Sequence, residues 1–222
     1  MTESRSLSHP ELLDRIYSAQ RHIYDLSRKY YLFGRDRLLE EMNALPGIHI
    51  LEVGCGTGRN LIALARLNPG LSLFGIDASR AMLETASSAI ERAKLPSPIT
   101  LEFGLAETFD PTQSSFRSSS FDKVFFSYSL SMIPDWKGAL LNALRLLRPG
   151  GVLFIVDFWD QSGYPVWFQR LLRWWLSLFH VEFKPEHLLF LDHLQREKKI
   201  SLELSPVGRR YAYLAKVRLL SQ

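Results

Sequence analysis

From His49 onward, short apolar runs alternate with segments in which apolar residues recur at intervals of three and four. Runs of this length are typical of buried strands, and the interval is that of an amphipathic helix. The predicted strands are His49–Val53, Leu71–Ile76, Ile99–Phe103, Lys123–Phe126 and Val152–Val156. The predicted helices are Asn60–Leu67, Arg80–Lys94 and Trp136–Leu147, with Pro149–Gly151 as a stop. This alternation predicts a mostly parallel sheet with helices on both faces.

The end of the chain has a different pattern. Ser201–Leu204 and Tyr211–Val217 alternate between apolar and polar residues on either side of Pro206–Arg210, which is typical of a β-hairpin. These strands bring the predicted sheet to seven. We therefore expect an α/β, Rossmann-like domain over residues 48–222, preceded by an N-terminal helical lid over residues 1–47.

Composition limits the number of domains. With 222 residues, of which 46% are apolar, the chain is long enough for one filled core and short for two. The N-terminus lacks an apolar stretch followed by a small-residue cleavage site, which argues against secretion. Cys55 is the only cysteine, so no internal disulfide is expected. We expect a cytoplasmic protein.

The net charge of +4 is concentrated late in the chain. Residues 160–222 carry ten basic and six acidic side chains, whereas basic and acidic residues balance before them. Such an excess suits an anionic surface, either phospholipid or nucleic acid. The alternative is a solvated surface without a partner.

Residues 165–179 contain three tryptophans, two arginines and no acidic residue. This composition predicts a helix that contacts the membrane at the headgroup level, with Arg170, Arg173 and Ser177 on one face and Trp167 and Trp174 near the boundary. The opposite, apolar stripe comprises Phe168, Leu171, Leu172, Trp175, Leu178 and Phe179. The alternative is that this stripe packs on the sheet and the arginines face water.

The most specific motif follows the first strand. Gly54, Gly56 and Gly58 allow a tight turn between strand and helix and a close approach of the backbone to a ligand. A dinucleotide fingerprint needs its third glycine at position 59, which is Arg59, so NAD and FAD are disfavoured. Cys55 fits a small turn residue better than a nucleophile.

The neighbouring strands end in acidic residues. Asp77, at the tip of the second strand, is placed to accept hydrogen bonds from both hydroxyls of a ribose, although it also fits the N-cap of the next helix. After the third strand, Ala106 is expected beside an adenine ring, with Glu107 accepting from its amine. Ala78, Met82 and Ser127 complete the predicted cofactor site, together with Glu52, Gly54, Cys55, Gly56 and Gly58.

The E-x-G-x-G-x-G motif, the Asp of strand two and the acid after strand three resemble those of class I S-adenosylmethionine-dependent methyltransferases over residues 48–156. The resemblance implies S-adenosylmethionine as cofactor. It also implies that Glu52 helps to hold the amino acid part of the cofactor.

The segment after strand four limits the chemical class of the methyl acceptor. Methyltransferases acting on nucleobase or glutamine amides have Asn/Asp-Pro-Pro-Tyr there, whereas this chain has Ser-Tyr-Ser-Leu at residues 127–130. Nucleic acid is therefore disfavoured as a partner. We also expect no metal site, because no cluster of aspartates suited to a metal is evident. An amine, which needs little activation, fits best.

Three further segments carry a closer resemblance. They are Tyr24–Arg35, residues 55–60 (Cys-Gly-Thr-Gly-Arg-Asn) and residues 127–136 (Ser-Tyr-Ser-Leu-Ser-Met-Ile-Pro-Asp-Trp). Together with Val156–Phe158 and the final hairpin, they resemble the BtaB family of bacterial diacylglyceryl-homoserine N-methyltransferases. The resemblance implies three successive methylations of a lipid amine at the inner membrane surface.

Aromatic faces suit an amine that becomes cationic, and an arginine suits the acceptor's carboxylate. We predict Tyr24, Tyr31 and Tyr128 as catalytic residues and Arg28, Tyr30, Arg35 and Trp159 as substrate ligands. The alternative acceptors are phosphatidylethanolamine and a quinone precursor. A cofactor-binding scaffold without catalysis is the alternative of another class.

Overall fold

The structure, a computed structural model, describes residues 33–116, 118–177 and 183–220, without the side chains of residues 175–177. The described strands form one seven-stranded sheet in the order β3-β2-β1-β4-β5-β7-β6. Its members are β1 (His49–Val53), β2 (Ser72–Asp77), β3 (Ile99–Phe103), β4 (Phe121–Ser127), β5 (Leu147–Phe158), β6 (Ile200–Val207) and β7 (Ala212–Leu219). β1 to β5 are parallel, and β7 pairs antiparallel with β5 and β6. The predicted mixed sheet with a terminal hairpin is confirmed.

Helices cover both faces of the sheet, as predicted. They are α1 (Arg35–Glu41), α2 (Arg59–Leu67), α3 (Arg80–Ala93), α4 (Trp136–Arg145), α5 (Val166–Ser177) and α6 (Pro185–Arg196). Side chains alternate between the faces of a strand, so Val124 and Phe126 join the core under α4 and α6. Phe125 joins the core under α1 and α2.

Several boundaries differ from the sequence prediction. β1 and β3 have the predicted bounds, whereas β4 and β5 are longer at both ends. Pro149–Gly151, predicted to end the helix, lie instead inside β5, because α4 already ends at Arg145. The start of β5 is irregular, since its register with β4 shifts there. α6 was not predicted from the sequence. α1, which falls in the predicted lid, contributes Leu38 to the core.

The inward face of α5 also differs from the prediction. Leu172 packs on the core that contains Phe158, and the ring of Phe168 lies 5.0 Å from that of Tyr164. Leu171, predicted on the same stripe, is 52% exposed, and Trp167 is 69% exposed. The predicted stripe is therefore divided: Phe168 and Leu172 pack inward, as the alternative expects, whereas Leu171 is exposed, because this helix is apolar on most of its circumference. None of the helices in the described ranges has the length and apolarity needed to cross a bilayer.

Candidate active site

A pocket lies at the carboxyl ends of β1, β2, β3 and β4, the edge at which open α/β sheets bind ligands. Nine of the predicted site residues line it: Gly54, Gly56, Asp77, Ala78, Met82, Ala106, Glu107, Ser127 and Tyr128. The remaining lining residues were not predicted: Val53, Ile76, Gly104, Leu105, Ser129, Met132, Ile133 and Pro134. The pocket therefore unites the segments that follow four different strands.

The turn after β1 requires glycine. Gly54, Gly56 and Gly58 all have positive φ angles, of 72°, 53° and 72°, a conformation that costs other residues free energy. At Gly54 there is also no space, since a Cβ atom would lie 2.6 Å from the Cβ of Ser129. The close approach of β1 to the segment after β4 gives the pocket its floor.

Asp77 connects this turn to β2. Its Oδ2 accepts the Gly56 N–H at 2.8 Å, and its Oδ1 accepts the Ser79 N–H at 2.9 Å. The N-cap of α3 is Ser79, whose hydroxyl accepts the N–H of Met82. The alternative role of Asp77 as the N-cap is therefore wrong. Because a carboxylate oxygen can accept more than one hydrogen bond, the same side chain can also bind a ribose.

Glu52 lies beneath the turn rather than on the pocket surface. It is 1% exposed, and its Oε1 accepts the side-chain amide of Asn60 at 2.6 Å. The Oδ1 of Asn60 in turn accepts two N–H groups of Arg35, at 2.6 and 3.0 Å. Arg35, predicted as a substrate ligand, is thus joined through Asn60 to the buried carboxylate of the glycine motif.

The wall after β4 combines a fixed phenol with a serine. Tyr128 has a φ of 56° and donates its hydroxyl proton to the backbone carbonyl of Phe33. Burial raises the pKa of the Tyr128 phenol well above its ordinary value, so this group stays protonated. The Ser127 hydroxyl is buried and has no hydrogen-bond partner among the described residues, which leaves it able to bind a ligand.

Asp157 holds this wall from behind and was missed by the sequence reasoning. Its carboxylate accepts the N–H of Ser131 at 2.9 Å and that of Phe158 at 2.8 Å. Complete burial raises its pKa to about 6. Its position at the carboxyl end of β5, beside the strands that end at the pocket, is the signal that could have found it.

Other predicted site residues lie elsewhere. Cys55 is buried against Gly75, and burial raises the pKa of its thiol well above the ordinary value, which agrees with a small turn residue. Gly58 caps α2 and does not line the pocket. Trp159, predicted as an acceptor ligand, is 8% exposed and does not line the pocket, and the guanidinium of Arg210 lies 3.9 Å from its ring centre. Tyr24, Arg28, Tyr30 and Tyr31 lie outside the described residues.

A family model described as a methyltransferase domain matches residues 45–188. The chain belongs to the S-adenosylmethionine-dependent methyltransferases. The match covers β1 to β5 with their connections, and hence the whole described pocket. The predicted class and cofactor are thereby confirmed.

Relatives of this methyltransferase have several acceptors. Nocamycin O-methyltransferase of Saccharothrix syringae is 38% identical over 52% of the chain and 39% of its own length. Demethylmenaquinone methyltransferase of Staphylococcus aureus is 29% identical over 73% of the chain and 66% of its own length. The chain spans about half the length, or less, of the first curated relatives that it matches.

The fold is also that of a solved methyltransferase structure. The phosphoethanolamine N-methyltransferase 2 of Haemonchus contortus, in complex with phosphomonomethylethanolamine and S-adenosylhomocysteine, superposes with a TM-score of 0.66. The two are 21% identical, and the superposition covers 90% of this chain and 47% of that one. This likeness shows a shared fold.

The residues at the pocket fit S-adenosylmethionine. The Asp77 carboxylate suits a ribose diol, and the unpartnered Ser127 hydroxyl suits a polar group of the same ligand. Ala106 and Glu107 line the part of the pocket next to β3, where the sequence predicts the adenine. The bound cofactor would supply an electrophilic methyl group.

Proposed function

We propose that this methyltransferase converts the primary amine of diacylglyceryl-homoserine, in three successive methylations, into the betaine lipid diacylglyceryl-trimethylhomoserine. The observation that carries the proposal concerns residues 127–136, on which the closer family resemblance rests. Residues 127–129 and 132–134 of this segment line the pocket on the side of β4, next to the predicted cofactor residues. The part of the chain that resembles the lipid enzymes is thus the part available to an acceptor.

The chemistry of this wall supports a nitrogen acceptor. The nitrogen becomes more substituted and finally a permanent cation, and an aromatic face stabilises a cation by about 0.5 to 2 kcal/mol. The ring of Tyr128 is fixed by its hydrogen bond to the Phe33 carbonyl and by the ring of Phe158, 4.7 Å away. A ring held in this way is preorganised for the product. Arg28 and Arg35 complete the proposal as ligands of the acceptor's carboxylate.

The similar solved methyltransferase structure also supports a nitrogen acceptor, since it contains a methylated phosphoethanolamine. We place the reaction at the cytoplasmic surface of the membrane, with the protein as a peripheral component. The methyltransferase then needs access to the amine of a lipid that is held in the membrane by two acyl chains.

Methylation of a quinone precursor is the second candidate. The demethylmenaquinone methyltransferase of Staphylococcus aureus matches more of this chain than the O-methyltransferases do. Demethylmenaquinone, the acceptor for which that enzyme is named, is also a membrane lipid. Both candidates therefore predict a lipid substrate and differ in the atom that is methylated.

A direct assay separates the candidates. The purified protein is incubated with methyl-labelled S-adenosylmethionine and, in separate detergent micelles, diacylglyceryl-homoserine, phosphatidylethanolamine or demethylmenaquinone, and the products are identified by mass spectrometry. We expect mono-, di- and trimethylated diacylglyceryl-homoserine, and no label on DNA, RNA or protein offered in parallel reactions. The variant Asp77→Asn, which should bind the cofactor more weakly, serves as the control with reduced activity.

The same assay can overturn the proposal. Preferential methylation of demethylmenaquinone would establish the second candidate, and preferential methylation of phosphatidylethanolamine would establish a phospholipid enzyme. Cofactor binding without methylation of any acceptor would favour a scaffold. Expression in cells with and without the enzyme that supplies diacylglyceryl-homoserine tests the same point in a membrane.

A further inference from the structure

We infer that the outward face of α5 is a docking surface for anionic lipid bilayers. This inference rests on the proposed lipid acceptor, but it concerns a different part of the molecule. The docking surface consists of Val166, Trp167, Arg170, Leu171 and Arg173, all of which are exposed.

The arrangement of these side chains is that of an interfacial helix. Successive residues of a helix are about 100° apart, so the five residues share one arc, with Arg170 and Arg173 on one side and Trp167 and Leu171 on the other. Val166, Trp167 and Leu171 are 63%, 69% and 52% exposed. Tryptophan and leucine beside arginine are the residues that enter the headgroup region of a bilayer.

Charge favours an anionic bilayer over another occupant. No acidic residue occurs between Asp160 and Glu182, and Asp160 is paired with Arg210, whose hydrogen bonds lower the pKa of that carboxyl to about 2. Asp160 is therefore ionised, but its charge is balanced by Arg210 and is not a counterion for Arg170 and Arg173. Arg209 is a third exposed cation in this region. It lies near the start of α5, since its backbone packs on Gly163, just before this helix.

The docking surface and the pocket are connected by one hydrophobic core. On the inward side of α5, Leu172 packs on the core that contains Tyr128 and Phe158, and Tyr128 lines the pocket. The helix proposed to contact the bilayer thus packs on the same core as the acceptor wall.

Vesicle co-sedimentation of the full chain tests the inference without any acceptor. The vesicles are made of phosphatidylglycerol with phosphatidylcholine, or of phosphatidylcholine alone. Each basic residue near an anionic surface contributes roughly fivefold to partitioning, so Arg170→Glu with Arg173→Glu should weaken binding to the anionic vesicles roughly twentyfold or more. Trp167→Gln with Leu171→Gln should weaken binding to both kinds of vesicle, because it removes apolar contact.

Matched controls change the same chemistry elsewhere. Arg66→Glu with Arg92→Glu makes the same change of charge at exposed positions in the last turns of α2 and α3, at the opposite edge of the sheet. Leu67→Gln with Leu189→Gln removes two other exposed leucines, 62% and 65% accessible. Both controls should sediment like the wild type, and cofactor binding by calorimetry should be unchanged in all four variants.

The outcomes separate this inference from the proposed function. Wild-type protein that stays in solution with anionic vesicles overturns the docking surface, as does a double arginine variant that sediments like the wild type. A dimer in analytical ultracentrifugation that Trp167→Gln with Leu171→Gln dissociates would assign the face to a second copy instead. Vesicle binding without methylation of diacylglyceryl-homoserine would overturn only the proposed acceptor. Methylation in micelles without vesicle binding would overturn only the docking surface.

Discussion

Replacement of Asp77 by asparagine tests the cofactor site most directly. The carboxylate accepts two backbone N–H groups, from Gly56 and Ser79, and is predicted to accept two ribose hydroxyls in addition. An asparagine has one acceptor oxygen, so its NH₂ group must face one of the two backbone donors. The variant therefore loses the negative charge and one internal hydrogen bond, while the side-chain volume is kept.

The magnitude follows from these contacts. Charge-assisted hydrogen bonds contribute about 1.5 to 3 kcal/mol each, so weakening two of them should cost about 2 kcal/mol or more of cofactor binding free energy. This corresponds to an increase in the Kd of roughly thirtyfold or more. The lost internal bond should lower the free energy of unfolding by about 1 to 3 kcal/mol.

Isothermal titration calorimetry with S-adenosylhomocysteine, below the melting temperature of the variant, measures the affinity. Ser79→Ala is the matched control, because it removes the hydroxyl that caps α3 but keeps the backbone N–H that Asp77 accepts. We expect it to lose about 1 kcal/mol of stability and to bind the cofactor within about twofold of the wild type. An Asp77→Asn protein that binds as tightly as Ser79→Ala would refute the ribose assignment and leave Asp77 as a brace of the turn.

Three further predictions concern a glycine of the pocket and two buried polar side chains. Gly54→Ala should lose at least about 2 kcal/mol of stability in urea unfolding, from overpacking and left-handed strain. The control Gly47→Ala, with a φ of 86° but nothing within 4 Å of its Cβ, should lose only about 1 kcal/mol. Equal losses would contradict the close approach of Gly54 to Ser129. Burial lowers the pKa of His187 to about 4. Between pH 6.5 and 4 this histidine is protonated in the unfolded chain but not in the folded protein, so the stability of the wild type falls as the pH falls through this range. The stability difference between wild type and His187→Gln should change by about 3 kcal/mol over this range, and a constant difference would refute the shift. Asn60→Leu should cost about 2 to 3 kcal/mol in thermal unfolding, because the buried Glu52 side chain loses this donor. A loss below about 0.5 kcal/mol would mean that water replaces the amide.

The sequence predicts those parts of the molecule that depend on local patterns. β1 and β3 have the predicted bounds because their apolar runs are short and end at turn residues. Asp77 and Ala106 line the pocket because the carboxyl ends of parallel strands meet at one edge of a sheet. The glycine turn is predicted by its motif alone, and the positive φ angles of its three glycines agree with it.

The remaining parts depend on contacts between distant segments. The apolar residues of α6 are consecutive from Leu188 to Leu191, so they show no interval of three and four. Asp157 accepts the N–H of Ser131, which follows β4. The role of Asp157 therefore depends on a contact between segments that are distant in the chain. The face of α5 that packs on the core is decided by the neighbouring rings, since the helix alone offers apolar residues on both sides.

The position of β7 has a consequence for how the protein folds. β7 pairs with both β5 and β6, although it follows both in the chain. Until it docks, β5 presents an open hydrogen-bonding edge along Leu153 to Phe158, which are buried in the folded protein. Pairings between distant segments form slowly, and an unpaired apolar edge can recruit strands of other chains. We therefore expect aggregation through this edge to compete with docking of β7 during refolding.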